Sequence, residues 1–146
     1  MKQKIYSYIL VASQYTAMII LIIINKSAFL QVVPLALFCI GFFIGIYAIY
    51  CNKPDNFNIT PDIKKDSCLI NHGIYRHIRH PMYFSVALMM LGMIIYNLNL
   101  LNMSLYTLLI LSIFLKARKE EILWCQKSDE YEKYREKTKA FIPFIL

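Results

Sequence analysis

Four long apolar stretches, each bounded by polar residues, leave this 146-residue chain few folds to choose from. Ile5 to Ile24 and Ala28 to Tyr50 contain no charged side chain. Each has roughly the 20 residues needed to cross a hydrocarbon core about 30 Å thick. Met82 to Tyr96 and Leu100 to Leu115 are shorter, and Asn97-Leu98-Asn99 separates them as a turn. They read as two spans of a helical hairpin. Backbone polar groups in lipid must be satisfied within the segment, so such stretches are helices. The expected fold is all-α: a polytopic membrane protein with about four transmembrane helices and a cytoplasmic C-terminal helical segment. The residues are 58% hydrophobic, against about 45–50% in a soluble domain. The first apolar stretch exceeds the roughly 7–15 residues of a signal-peptide core, and no small-x-small site follows it. It is read as an uncleaved first span.

Basic residues orient the spans. With four crossings, the N-terminus, the segment from Cys51 to Pro81 and the C-terminal segment share one side, and they hold all Lys and Arg but Lys26. That asymmetry puts the shared side in the cytoplasm and accounts for the net charge of +7 without nucleic acid. The expected location is the inner membrane of a bacterial cell. Cys39, Cys51, Cys68 and Cys125 form no CxxC pair, so neither disulfides nor a zinc site are expected, and no metal. Asn58-Ile59-Thr60 matches a glycosylation acceptor but lies on the cytoplasmic side, and is read as chance.

The loop from Cys51 to Asn71, with Pro54, Pro61 and several Asp, Lys and Asn, cannot form a long helix and could lie across the membrane surface towards a nearby site. Pro81 suits the first position of the third span. His80 and Arg79 then stand at a helix N-terminus, which favours anionic groups. Beyond Leu115 the fourth helix is expected to continue into water with Arg118, Glu120 and Glu121, and Trp124 one turn past Glu120 on the same face. Ser128 is placed to cap a further short helix, with Tyr131 and Tyr134 on one face. The apolar end, Phe141 to Leu146, should dock on protein or lipid.

The most informative stretch is Gly73-Ile-Tyr-Arg-His-Ile-Arg-His-Pro-Met-Tyr-Phe84, polar and cationic beside a long apolar run. Taken singly, Arg and His beside a span mark a membrane boundary, Tyr marks an interface, and Glu120-Glu121 marks a solvated helix face. The combination says more. Gly73-x-Tyr75-x-x-x-Arg79-His80-Pro81-x-Tyr83 precedes the hairpin; Glu120-Glu121-x-Leu123, Glu130-Tyr131-x-x-Tyr134 and Ile142-Pro143 follow it. This order and spacing resembles the isoprenylcysteine carboxyl methyltransferase family and its relatives, the membrane phospholipid N-methyltransferases. The resemblance runs from about Ser67 to Leu146. Ser85 and Ser128 stand where that family often has Gly.

The resemblance implies a membrane methyltransferase dependent on S-adenosylmethionine, acting on a lipid-like, amphiphilic acceptor that reaches the site from the bilayer lipid. It implies that His72, Gly73, Tyr75, His80, Pro81, Tyr83 and Glu120 hold the cofactor, and that Arg79 and Glu121 are catalytic. Gly73 would allow close backbone approach. The chain would then be one methyltransferase domain: two spans in 1–50, a cytoplasmic loop in 51–81, a hairpin in 82–116 and a cofactor-covering tail in 117–146. O-methylation of an isoprenylcysteine-type carboxylate is favoured over N-methylation of a phospholipid amine. A carboxylate is already ionised, whereas an amine needs a base such as His72, His77 or a Glu. A sulfonium cofactor needs a carboxylate for its amine, a cation or helix N-terminus for its carboxylate, and aromatic walls, worth about 0.5–2 kcal/mol by cation–π attraction. Two other readings are an NADPH-dependent membrane reductase, whose cofactor phosphates ask for more Arg and Lys, and a non-catalytic membrane subunit.

Overall fold

The computed structural model describes residues 2–52, 56, 58–64 and 66–142. Helix α1 (Lys2–Ile24) is followed by a 3-10 turn at Lys26–Leu30, α2 (Val32–Asn52), a polar connection with a 3-10 turn at Gly73–Arg76, α3 (Pro81–Tyr96), α4 (Leu100–Lys127) and α5 (Asp129–Lys137). The chain is an all-helical polytopic membrane protein. Gln3–Ile24, Val32–Asn52 and Leu100–Lys127 are long and apolar enough to cross a membrane. At 16 residues, α3 rises only about 24 Å. The second apolar stretch does not form one helix: Ala28 to Leu30 close the 3-10 turn, and the helix restarts at Val32 with Pro34 in its first turn, where a missing N–H costs nothing.

The expected hairpin forms, with Asn99 capping α4 by accepting from the amide of Asn102, but its arms face different partners. Helix α3 packs mainly along α2, and α4 mainly along α1. Small residues explain the first pairing. A Cβ on Gly41 would meet Ser85 O and Met89 Cγ at 2.7 Å, and one on Gly92 would meet Pro34 O at 2.7 Å, so the backbones touch. Gly41 and Gly45 thus serve the α2–α3 interface, and Ser85, where a Gly is common in the resembling family, sits against Gly45.

Along the antiparallel α1–α4 seam the buried residues of α1 are Ser7, Leu10, Gln14, Ala17 and Leu21. Their alternating spacing of three and four is the knobs-into-holes pattern. Polar rungs cross it. Asn25 and Asn102, both fully buried, exchange amide hydrogen bonds at 3.1 and 3.0 Å. Ser13 and Ser112 lie 2.8 Å apart. Lys116 donates to Gln14 at 2.7 Å, and Lys119 donates to Ser7. Large apolar side chains such as Ile9, Phe43 and Tyr50 are exposed on the outer faces of α1 and α2, a surface suited to lipid.

Candidate active site

The site forms where the C-terminal segment returns to the mouth of α3. His80 precedes α3 at its N-cap position, without a side-chain cap bond, and Pro81 occupies the first turn. The backbone amides of Arg79 and His80 donate to the carbonyls of Lys139 (2.8 Å) and Ala140 (2.9 Å), and Ile78 bridges Lys139 in parallel. Arg79 clips the same segment with its side chain: Nη1 donates to the carbonyls of Arg135 (3.2 Å) and Thr138, and Nε donates to Glu121 Oε1 at 2.8 Å. The Phe141 ring lies tilted against His80, 5.6 Å between centroids. Residues 143–146, with Pro143 of the terminal motif, lie outside the described residues, as do Lys53, Pro54, Asp55, Phe57 and Lys65.

The two adjacent glutamates point to different work. Glu121 is buried, and its Oε1 takes both Arg79 Nε and His80 Nε2, the latter at 3.2 Å. Glu120 accepts from the phenol of Tyr83, lies 3.6 Å from His80 Nδ1, and lines a cavity of about 350 Å³. His80 therefore sits between two carboxylates. Of the residues singled out from the sequence, Tyr75, Arg79, His80, Pro81, Tyr83 and Glu120 line this cavity. His72, Gly73 and Glu121 do not. Gly73 has φ +57°, and a Cβ there would meet Cys51 Sγ at 2.5 Å. The closeness it permits is to α2 and not to the cavity. His72 is exposed, and its carbonyl closes the 3-10 turn through the amide of Tyr75.

Aromatic rings form much of the polar end of the cavity. Trp124 and Tyr131 stack at 5.8 Å and 16°, and Tyr134 lies 5.7 Å from Tyr131. Ser128 caps α5 by accepting from Glu130 N, which turns both tyrosines inward, and Tyr134 donates to Tyr75 O at 2.6 Å. Burial pushes the phenols of Tyr75 and Tyr131 well up, helped by the charges of Glu120 and Glu121 respectively. Burial also lifts Tyr134 to about 12, against the pull of Arg79. All three remain neutral donors at physiological pH.

The opposite end is apolar, bounded by Phe42, Ile46 and Ile49 of α2 and Val86 and Met89 of α3. The connection between α2 and α3 roofs the cavity with Asn58, Thr60 and Asp62. It is latched by Lys119, which donates to Asp62 Oδ1 at 2.6 Å. Partial burial raises the Asp62 carboxyl, but Lys119 and Ser7 outweigh this and hold it below its ordinary value.

Sequence reasoning overlooked Gln14, Tyr15 and Lys116, all on the cavity wall. Lys116 is 2% exposed, and its Nζ lies 5.0 Å from the centroid of the Tyr83 ring. Its place one turn before Glu120 was the available signal.

The wall therefore offers a carboxylate, cations, neutral phenols and stacked rings at one end and hydrocarbon at the other. That set suits a zwitterionic, aromatic, cationic small molecule at one end and an apolar chain at the other. Among the described residues no cluster of His, Cys, Asp and Glu suits a metal ion.

Comparison with known proteins gives the same direction. Residues 29–128 match the model of the phospholipid methyltransferase family. The protein-S-isoprenylcysteine O-methyltransferase of Schizosaccharomyces pombe is 27% identical over 118 residues, covering 79% of this chain and 50% of that protein. A probable protein-S-isoprenylcysteine O-methyltransferase of Oryza sativa subsp. indica is 33% identical over 79 residues, covering 53% of this chain and 41% of that protein. The chain spans about half the length, or less, of these curated relatives.

Proposed function

Because this chain belongs to the phospholipid methyltransferase family, we propose that it is an S-adenosylmethionine-dependent membrane methyltransferase whose acceptor is a lipid-like carboxylate of the isoprenylcysteine type. One observation carries the reading: a single cavity joins an aromatic, ionic end at the mouth of α3 to an apolar end between α2 and α3. Its volume of about 350 Å³ falls in the usual range for small-molecule sites, about 300–1,000 Å³.

In this reading Glu120 takes the amino group of the cofactor, and the Trp124, Tyr131 and Tyr134 rings wall its adenine and sulfonium. The neutral phenols donate to its polar edges without adding charge. When bound, the cofactor supplies an activated methyl group for in-line displacement. The chain's own work is alignment and water exclusion, and good positioning is worth up to about 7–11 kcal/mol. Glu121 holds Arg79 and His80 in place, and Arg79 in turn fastens the C-terminal segment over the site. Glu121 is thus a positioning residue, and Arg79 both lines the cavity and closes it. The apolar end takes the acceptor's chain directly from the bilayer.

Lys116 favours a carboxylate over an amine. Among the described residues no carboxylate lies within ion-pair distance of its Nζ, whereas Arg79 and Lys119 each have one and His80 has two. A buried cation with no carboxylate in direct contact repels a protonated amine and attracts an acceptor's anionic end. Such a carboxylate needs no general base. The relatives named isoprenylcysteine O-methyltransferases agree in chemistry. With the basic face turned to the cytoplasm, and the bacterial inner membrane as its setting, the loop, hairpin and tail work as one domain.

The test is methyl transfer by purified protein in nanodiscs. Labelled S-adenosylmethionine should pass label to an isoprenylated cysteine, and S-adenosylhomocysteine but not NADPH should raise the melting temperature. Label appearing in phosphatidylethanolamine instead would replace the acceptor assignment. No label in any fraction and no S-adenosylhomocysteine binding would overturn the whole reading.

A further inference from the structure

Helix α1 lies outside residues 29–128, the stretch matched by the family model, yet it places Gln14 on the cavity wall. Gln14 is 4% exposed within a membrane span. Its amide orientation follows from chemistry: Lys116 can only donate, so the atom 2.7 Å from its Nζ is Oε1. The amide NH2 has as its partner among the described residues the thioether of Met18 at 3.9 Å. A thioether is a weak acceptor. A buried amide donor with no better partner is costly in a site of low polarity, and it lowers that cost by binding an oxygen. An ammonium has three donors; Gln14 takes one and the Tyr83 ring faces the group, so Lys116 too has capacity left.

We infer that Gln14 and Lys116 form an oxyanion receptor for the acceptor, with Gln14 as a specificity-determining residue contributed by α1. The inference rests on the methyl-transfer reading above and adds to it the group that α1 supplies. Gln14 Oε1 holds the ammonium over Tyr83, whose phenol engages Glu120, and the ammonium donors left over, with the second N–H of the amide, are offered to the acceptor's anionic oxygen. Two acceptors carry such an oxygen, an isoprenylated cysteine at its carboxylate and a phospholipid at its phosphate.

The experiment measures acceptor binding to the full chain in nanodiscs through the fluorescence of Trp124, the single tryptophan, which lines the cavity. The probes are an isoprenylated cysteine, its methyl ester, phosphatidylethanolamine and S-adenosylhomocysteine. Gln14→Met, close in shape and suited to a span, should weaken the carboxylate probe about tenfold, the loss expected for one hydrogen bond to a charged group. Affinities for the ester and for S-adenosylhomocysteine should stay within about twofold. Gln14→Glu, which keeps an acceptor for Lys116 but adds an anion, should weaken the carboxylate probe further. The same pattern confined to phosphatidylethanolamine would identify the phosphate as the oxygen bound. Wild-type affinity for every acceptor in Gln14→Met, equal losses for carboxylate and ester, recovery in Gln14→Glu, or no acceptor binding by the wild type would each overturn the inference. Loss of S-adenosylhomocysteine binding in the wild type would instead strike the methyl-transfer reading, because the acceptor measurement does not depend on turnover.

Discussion

Removing Arg79 and Glu121 singly and together tests the joint that closes the site. Both side chains are 10% exposed, and taking one partner from a buried pair costs about 3–5 kcal/mol. Glu121→Leu should lie at the lower end, about 3 kcal/mol, because Arg79 keeps the carbonyls of Arg135 and Thr138. Arg79→Met loses the pair and also leaves those carbonyls without their donor, at about 1 kcal/mol each, so about 5 kcal/mol is expected. In the double variant no uncompensated charge remains from the pair. The carbonyls and His80 still lose partners, giving about 4 kcal/mol, half the additive figure of about 8. The assay is reversible unfolding in mixed micelles, followed by Trp124 fluorescence, with S-adenosylhomocysteine affinity measured on each folded variant. Additive costs would show that the two residues do not support one another, and the assignment of Glu121 as a positioning residue would fail with them.

Gly73→Ala should destabilise by about 2–3 kcal/mol, combining a left-handed backbone with a clash at Cys51 Sγ. Adding Cys51→Ala should recover only the clash, and full recovery in the same unfolding assay would refute the backbone part. Asp62 has a carboxyl held below its ordinary value, so its stabilisation is complete above the unfolded value and is lost as pH falls through the lower folded one. The melting temperature of Asp62→Asn should therefore fall less steeply than that of the wild type below about pH 4, and parallel curves would mean that Lys119 does not hold it. Asn102→Leu should cost about 2 kcal/mol by leaving the buried Asn25 Oδ1 without its donor, while the Asn25 NH2 keeps the Leu21 carbonyl. Asn25→Leu with Asn102→Leu should cost less than that single change, and a larger loss in chemical unfolding would contradict the paired-amide account.

Helix number and the order of the polar clusters were legible because each rests on local pattern. Unbroken apolar length gives spans, Pro81 and Ser128 mark helix starts, and Glu120 to Trp124 spans one turn. Lateral pairing was not legible. The turn at Asn97-Leu98-Asn99 makes α3 and α4 neighbours in sequence, but Gly41, Gly45 and Gly92 let the α2 and α3 backbones approach more closely than bulkier α4 side chains permit. The division of labour between Glu120 and Glu121 was equally hidden. Adjacent residues on a helix diverge by about 100°, so the rotation of α4 decides which faces the cavity, and that rotation is set by its contacts with α1.

The α1 seam gives that rotation its cause. Ser7, Leu10, Gln14, Ala17 and Leu21 repeat at alternating intervals of three and four, a signal present in the sequence but obscured by a span that looks uniformly apolar. Hydrocarbon packing alone would tolerate a slip of α1 along α4, since lipid tails and leucines are alike to a helix surface. Buried amides do not tolerate it. Asn25 and Asn102 satisfy one another in a single alignment, as a lone Asn fixes register in a coiled coil. Gln14 lies eleven residues before Asn25, about 16 Å along the helix, so the amide pair fixes the height at which Gln14 meets Lys116. Sliding α1 by one residue would turn Gln14 about 100° away from the cavity. A polar clasp far from the site thereby sets which groups the cavity presents.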